Sequence, residues 1–254
     1  MTFKIWQNSF LDFQTANKHK VGPGFSGSVY LERSLQAAEE SLQSLKSGQQ
    51  VPYFHKQRNV HLPIVASMLL NQGDRKIRIL DFGGGLGIAY MALVESIPKL
   101  VNRVEYYIVE NPAVCEIGES LFKSNLNISF SRKIPNNLKV DLIYSSSCIQ
   151  YIEFWDETLI ELCNLGARHI LFSDFFSSNS KSFVSLQNYY ESKIPHWFIN
   201  LDDFLKITTS YGYELQFKSF SNLERLGERD LTKLSDFSKN QINKQSLNLL
   251  FSKI

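Results

Sequence analysis

The sequence predicts an α/β fold in which a mostly parallel sheet carries helices on both faces. Three observations lead there. A short apolar run, Ile77-Arg-Ile-Leu80, ends at the glycine turn Asp81-Phe-Gly-Gly-Gly-Leu-Gly87, and an apolar helix candidate follows at once. Strand-like and helix-like segments then alternate as far as residue 172, as crossover-connected parallel strands require. Apolar residues make up 43% of the 254-residue chain and charged ones 20%, a balance suited to a single large ordered core.

Taken in order, residues 1 to 25 show no period, and Gly22-Pro-Gly24 punctuates them. After Ser28, the residues Leu31, Leu35, Ala38, Leu42 and Leu45 recur at gaps of four and three, the spacing of one helix face, and Gly48 fits its stop. A second helix is expected over Lys56–Leu70, with Val60, Ile64 and Met68 on one stripe. These two helices form either a cap over a ligand site or ordinary outer-layer packing. They define an N-terminal extension, residues 1–73, ahead of the main domain, residues 74–254.

Within that domain, Ile77–Leu80 is the first strand and Ile88–Ser96 the helix after the glycine turn, ended by Pro98. Val104–Val109 is the second strand, followed by a helix over Val114–Phe122. Ile128–Phe130, Val140–Tyr144 and His169–Phe172 supply the third, fourth and fifth strands. Between the last two, Asp156 suits a helix cap, Asn164 the helix end and Gly166 its exit. A helix over Asp202–Tyr211 reaches Gly212, a strand over Tyr213–Ser219 follows, and Asn248–Ile254 completes seven strands. Residues 221–246 are polar and lack a period. The interval 174–200 is long for a plain connection, and is either a substrate-side lid or a structural insertion.

Charge and cysteine usage exclude several functions. With 27 basic and 25 acidic side chains the net charge is +2, and no basic block marks a nucleic-acid track. Cys115, Cys148 and Cys163 have neither metal-motif nor disulfide-framework spacing, so a reducing compartment and no metal site are expected. No apolar run is long enough for a membrane span or signal segment, which points to the cytoplasm. The 19 Phe and 11 Tyr exceed ordinary packing needs, leaving some for a ligand pocket or a homodimer surface.

The chemistry centres on the glycine turn. Gly83, Gly84, Gly85 and Gly87 admit a nucleoside-type ligand between strand and helix, as in Rossmann-like folds. Asp81 suits the cationic amino end of S-adenosyl-L-methionine, whereas a dinucleotide would place its pyrophosphate there. Ile88 occupies the position of the last glycine in the dinucleotide fingerprint, which weakens the nicotinamide reading. Glu110, at the end of the second strand, is placed to accept from ribose hydroxyls. Ser145, Ser146 and Gln150, after the fourth strand, hold the amino-acid or base portion of the ligand, or else cap the chain locally.

The segments ILDFGGGLGIAYMAL, YYIVENPAVCEIGESLF, DLIYSSSCIQYIEF, SLQNYYESKIPHWFINLDDFL and YGYEL resemble a bacterial S-adenosylmethionine-dependent methyltransferase family associated with surface-polysaccharide biosynthesis clusters. They span roughly residues 77 to 220. The resemblance implies a seven-stranded class I methyltransferase sheet, Asp81 and the glycine turn at the cofactor, and Glu110 at its ribose. It also implies substrate-side positions at Tyr151, Gln187 and His196-Trp197, with a sugar or nucleotide-sugar acceptor. One departure stands out: Ser173-Asp-Phe-Phe176 replaces an arginine-containing turn after the fifth strand.

For a hydroxyl acceptor, His196, Asp174 and Tyr151 are the candidate catalytic groups. Imidazole titrates near neutrality and Asp174 follows the fifth strand. The plainer readings put His196 and Trp197 in packing and Asp174 in a turn or cap. Two other functions use the same features: a noncatalytic nucleoside-binding protein and an NAD-dependent oxidoreductase.

Overall fold

The computed structural model describes residues 3–70, 75–125, 127–135, 138–238 and 240–254. It begins with β1 (Trp6–Phe10) and α1 (Phe13–Asn17), whose cap Asp12 accepts from the Thr15 backbone N–H at 2.7 Å. α2 (Ser28–Lys46) presents Ala38 and Ser41 to the interior and stops just before Gly48, whose φ is +72°.

α3 (Tyr53–Lys56) and α4 (Leu62–Leu70) replace the single helix expected over 56–70, because a 3₁₀ turn at Gln57–Asn59 separates them. The expected stripe faces outward. Val60, Ile64 and Met68 are 50%, 60% and 47% exposed, whereas Leu62, Val65, Ala66 and Leu69 are buried. The second set has the i, i+3, i+4, i+7 spacing of a full helix face, and the broader face wins the core.

The main sheet is built from β2 (Ile77–Phe82), β3 (Val104–Val109), β4 (Ile128–Ser131), β5 (Leu142–Ser146) and β6 (His169–Phe175). Between them run α5 (Ile88–Ser96), α6 (Pro112–Leu121) and α7 (Trp155–Asn164). All seven residues of β6 are buried, as are Leu142 to Ser145 of β5, because helices cover both faces. α5 buries Ala89 through Val94 on every side, wedged beneath α2 and α4. Asp156 does not cap α7. Phe154 holds that position without a side-chain bond, and Asp156 and Glu157 lie in the first turn, where their charges complement the helix dipole.

After β6 the chain forms β7 (Ser177–Ser178), β8 (Phe183–Tyr189), β9 (Ser192–Asn200), α8 (Leu201–Ser210), β10 (Tyr213–Phe220) and β11 (Leu247–Lys253). The seven-stranded sheet has the order β10-β11-β6-β5-β2-β3-β4. β2 to β6 pair in parallel, while β11 pairs antiparallel with both neighbours and so runs against the other six.

A second sheet has the order β1-β8-β9-β7. The interval 174–200 is therefore a β-hairpin carrying the N-terminal strand, with Trp6 opposite Gln187. Behind it, Trp6, Phe176, Phe183 and Phe198 pack with Leu231, Leu234 and Ile242. The aperiodic stretch after β10 is thus tied down, and the Ile5 N–H donates to Leu234 O at 2.7 Å. The expected division between residues 73 and 74 lies outside the described residues. No helix among the described residues is long and apolar enough to cross a membrane.

Candidate cofactor and acceptor site

The C-terminal ends of β2, β3, β5 and β6 converge on one edge of the sheet, where open α/β folds bind ligands. At the end of β2, the Gly83 N–H donates to Val109 O at 2.9 Å, and Gly87 starts α5 with φ +76°. Gly83 lies directly against Cys148: a Cβ there would come within 2.1 Å of the Cys148 sulfur. Gly84 packs on the Asp81 carboxyl, and the Gly85 N–H donates to Glu110 Oε1 at 3.2 Å.

Asp81 is 1% exposed. Tyr106 Oη donates to its Oδ2 at 2.7 Å, while Oδ1 has no partner among the described residues. Burial pushes its pKa up to about 7, with nearby Glu110 adding to the rise and the Tyr106 bond opposing it. Glu110 is also raised by burial, against the pull of the Asn111 and Gly85 N–H groups. The Asn111 N–H reaches its Oε2 at 2.8 Å.

Two cavities of about 630 and 480 Å³ flank this turn and share Tyr30, Arg58, Gly83, Ser146 and Tyr189 as walls. Asp81, Gly84 and Gly85 line the smaller. The larger is lined by Glu110 and Asn111 from the main sheet and by Tyr151, Gln187 and Tyr189 on its far side. There, Phe25 contacts Tyr30, Tyr151 and Tyr189 with ring centroids 5.3, 4.9 and 5.3 Å apart.

Of the residues expected after β5, only Ser146 reaches these cavities. Ser145 is buried, and Gln150 is a strut whose Nε2 donates to Ser147 Oγ at 3.2 Å and to Asp174 O at 3.4 Å. The 3₁₀ turn Ile149–Tyr151 puts Tyr151 on the cavity wall, donating to Gln187 Oε1 at 2.7 Å. Burial raises the Tyr151 phenol, as it does those of Tyr30 and Tyr189, so all three are neutral hydrogen-bonding groups at pH 7.

His196 and Asp174 are placed differently from their expected base roles. His196 is fully buried among Trp6, Tyr151, Phe176 and Phe198, its ring nitrogens have no hydrogen-bond partner among the described residues, and it lines neither cavity. Burial pushes its pKa down to about 3. Because the lowered value disfavours the folded state from about pH 6.5 downward, His196→Phe is expected to raise the unfolding temperature more at pH 5 than at pH 8. A drop at both pH values would show that the imidazole makes a bond essential to the fold.

Asp174 is 1% exposed and pairs with Arg225. It also accepts from Ser246, with Arg58 Nε 3.8 Å away. Burial raises its pKa, but the two arginines more than offset this and hold it below the usual carboxylate value. It is a charge-paired anchor behind the cavity wall.

Six strands of one direction with β11 reversed between β6 and β10, and a glycine turn at the central strand's C-terminal end, decide the architecture. The chain has a class I methyltransferase fold. No family model and no curated protein matches the sequence. Among solved structures it is similar to an S-adenosylmethionine-dependent methyltransferase from Clostridium acetobutylicum. That match has 14% identity and a TM-score of 0.49, covering 78% of this chain and 92% of the other. It is also similar to a 1,6-didemethyltoxoflavin N1-methyltransferase from Burkholderia thailandensis, at 11% identity, 92% and 93% coverage and a TM-score of 0.49.

On this methyltransferase fold, Asp81 lines the smaller cavity beside the glycine turn, and its buried Oδ1 has no hydrogen-bond partner among the described residues. That donor set fits a ligand with a cationic end and repels a pyrophosphate. No local pattern marks Arg58, Tyr30 or Arg225 as site residues, and Tyr189 lies in a resembling segment without a role of its own. Tyr30 sits within an amphipathic helix, Arg58 in a short turn and Arg225 in the aperiodic stretch, so only folding brings them together. Among the described residues no group of His, Cys, Asp and Glu could hold a metal ion.

Proposed function

We propose that this protein binds S-adenosyl-L-methionine and transfers its methyl group to a ring-bearing small molecule, a sugar or nucleotide-sugar intermediate. The observation that carries this reading is Asp81: a buried carboxylate with one unpaired oxygen, beside a glycine turn and across from Glu110. Asp81 would hold the cofactor's ammonium and Glu110 its ribose hydroxyls, and Ser146 lines both cavities. When bound, the cofactor would supply an electrophilic methyl to an acceptor hydroxyl, with the carbon–sulfur bond broken and the hydroxyl proton released to solvent.

The acceptor lies against Phe25, Tyr30, Tyr151 and Tyr189, whose faces suit a sugar ring and whose hydroxyls suit its polar edge. Orientation and exclusion of water, rather than a strong base, supply the rate, because His196 and Asp174 are both withdrawn from the cavity. The same withdrawal favours, as a second reading, a nucleoside-binding protein without transfer. Calorimetry with S-adenosylhomocysteine and NAD, followed by transfer assays over sugar nucleotides, separates these. Binding of NAD alone refutes the methyltransferase reading; donor binding without any transfer supports the second.

Asp81 adds a pH signature. With its folded value near 7 against 3.8 in the unfolded chain, the free protein loses stability as pH rises from about 4 to 7. Binding an ammonium needs the ionised form, so affinity for S-adenosylhomocysteine is expected to rise roughly ten-fold between pH 6 and pH 8. Asp81→Asn should weaken binding and flatten that profile. A slope that survives in Asp81→Asn would assign the titration to another group.

A further inference from the structure

We propose that the acceptor carries an acidic group, a carboxylate or a phosphate, seated between Arg58 and Arg225 on the wall of the larger cavity. The inference rests on the transfer reading above and narrows its acceptor to an acidic sugar rather than a neutral one. Both arginines line that cavity. Arg58 comes from the turn between α3 and α4 and Arg225 from the stretch after β10, and they meet at one buried carboxylate, Asp174.

The charges there do not balance. Asp174 is held ionised and supplies one negative charge against two guanidiniums. Its Oδ1 pairs with Arg225 and accepts from Ser246. Arg58 Nε stands 3.8 Å from Oδ2, beyond hydrogen-bond reach, so the Arg58 donors remain for a ligand and one positive charge is left over. Both guanidiniums act on the Tyr151 phenol, which places the excess charge at the aromatic wall proposed for the acceptor. Elsewhere on the lining, Lys20 adds a further cation, whereas Arg132 is paired with Glu119 at 3.2 Å. Glu110 is engaged by the Gly85 and Asn111 N–H groups.

The two guanidiniums are also positioned before any ligand arrives. Arg225 lies over the Phe176 ring, 5.0 Å from its centroid. The turn carrying Arg58 is fixed to β5, where Tyr144 Oη donates to Asn59 Oδ1 at 2.7 Å. A neutral sugar would leave the extra charge uncompensated in a cleft that water screens weakly. Forked guanidinium donors match the paired oxygens of a carboxylate or a phosphate.

The test uses the full chain with saturating S-adenosylhomocysteine and four probes: glucose, glucuronate, glucose 6-phosphate and inorganic phosphate. Binding is followed by ligand-observed NMR. At low salt, at least one acidic sugar should bind about 10- to 100-fold more tightly than glucose, the range of a charge-assisted hydrogen-bond pair. Tighter glucuronate assigns the group as a carboxylate; tighter glucose 6-phosphate assigns it as a phosphate. Arg58→Gln should cut the acidic preference at least about ten-fold, and glucose binding should change far less. Arg58→Lys should lose less, keeping the charge without the fork.

Equal binding of acidic and neutral sugars by the unaltered protein would overturn the subsite and leave the transfer reading in place; this comparison needs no variant. So would a preference that survives intact in a folded Arg58→Gln protein. If no sugar binds but inorganic phosphate does, and Arg58→Gln abolishes it, the subsite stands and the sugar class falls. Binding of none of the four probes would overturn the subsite and the sugar class together. Failure to bind S-adenosylhomocysteine removes the cofactor reading instead, and inorganic phosphate alone then decides the subsite.

Discussion

Asp174→Ala is expected to destabilise the protein by about 3–5 kcal/mol, the usual cost of breaking a buried ion pair from one side. Asp174 joins three distant parts of the chain: Arg225 from the stretch after β10, Ser246 ahead of β11, and the turn carrying Arg58. Removing the carboxylate leaves Arg225, whose side chain is 13% exposed, without its partner over the Phe176 ring. The residue also has φ +55°, a conformation that asparagine tolerates better than alanine. Asp174→Asn should therefore cost less, retaining the backbone and losing the charge.

Urea midpoints of Asp174→Ala, Arg225→Ala and the double variant check this. A coupling energy near zero would show that the pair contributes little. The pH dependence follows from the lowered carboxylate value: the contribution is complete above about pH 4 and disappears as pH falls through the folded value.

The second large effect is on binding. Gly83→Ala is expected to weaken S-adenosylhomocysteine binding at least about 100-fold, because backbone strain and a clash of this kind each cost around 1–3 kcal/mol. Its Cβ would meet Cys148 Sγ at 2.1 Å and Cys148 Cβ at 2.5 Å, at a φ of +73°. Either the turn or the loop after β5 must move, and both line the larger cavity, where the proposed ligand would sit. Cys148→Gly removes both offending atoms, so the double variant should recover part of the loss. The residual defect measures the left-handed backbone alone. Wild-type affinity in a folded Gly83→Ala protein would place the ligand elsewhere.

The segment from β2 through β3 was legible residue by residue, because a short apolar run, a glycine turn and an apolar helix follow in a fixed local order. The strand-end positions of Asp81 and Glu110 are legible for the same reason, since the local pattern defines where each strand stops. α4 was misjudged in its facing, since apolar residues occupy two stripes and only the sheet decides which one is covered. β1 was invisible because WQNSF has no alternation of its own; it becomes a strand by pairing with a hairpin near residue 187.

An imidazole suits base chemistry, but residue type says nothing about burial, and His196 lies wholly in the interior. Arg58 and Arg225 carry no local signature, and Tyr189 has none beyond lying in a resembling segment. Their relevance comes from convergence of the extension, the hairpin and the stretch after β10 on one cleft.

The pairing of Trp6 with Gln187 also bears on how the molecule assembles. β1 leaves the ribosome long before its partner exists, and closing so large a loop is entropically slow. Until the hairpin emerges, Trp6 has no interior to enter. The parallel sheet can consolidate first, and the N-terminal strand then docks as a late clasp. Closure of the aromatic pocket would lag behind that of the glycine-turn edge, so a chain halted before the hairpin emerges would carry the parallel strands without the second sheet.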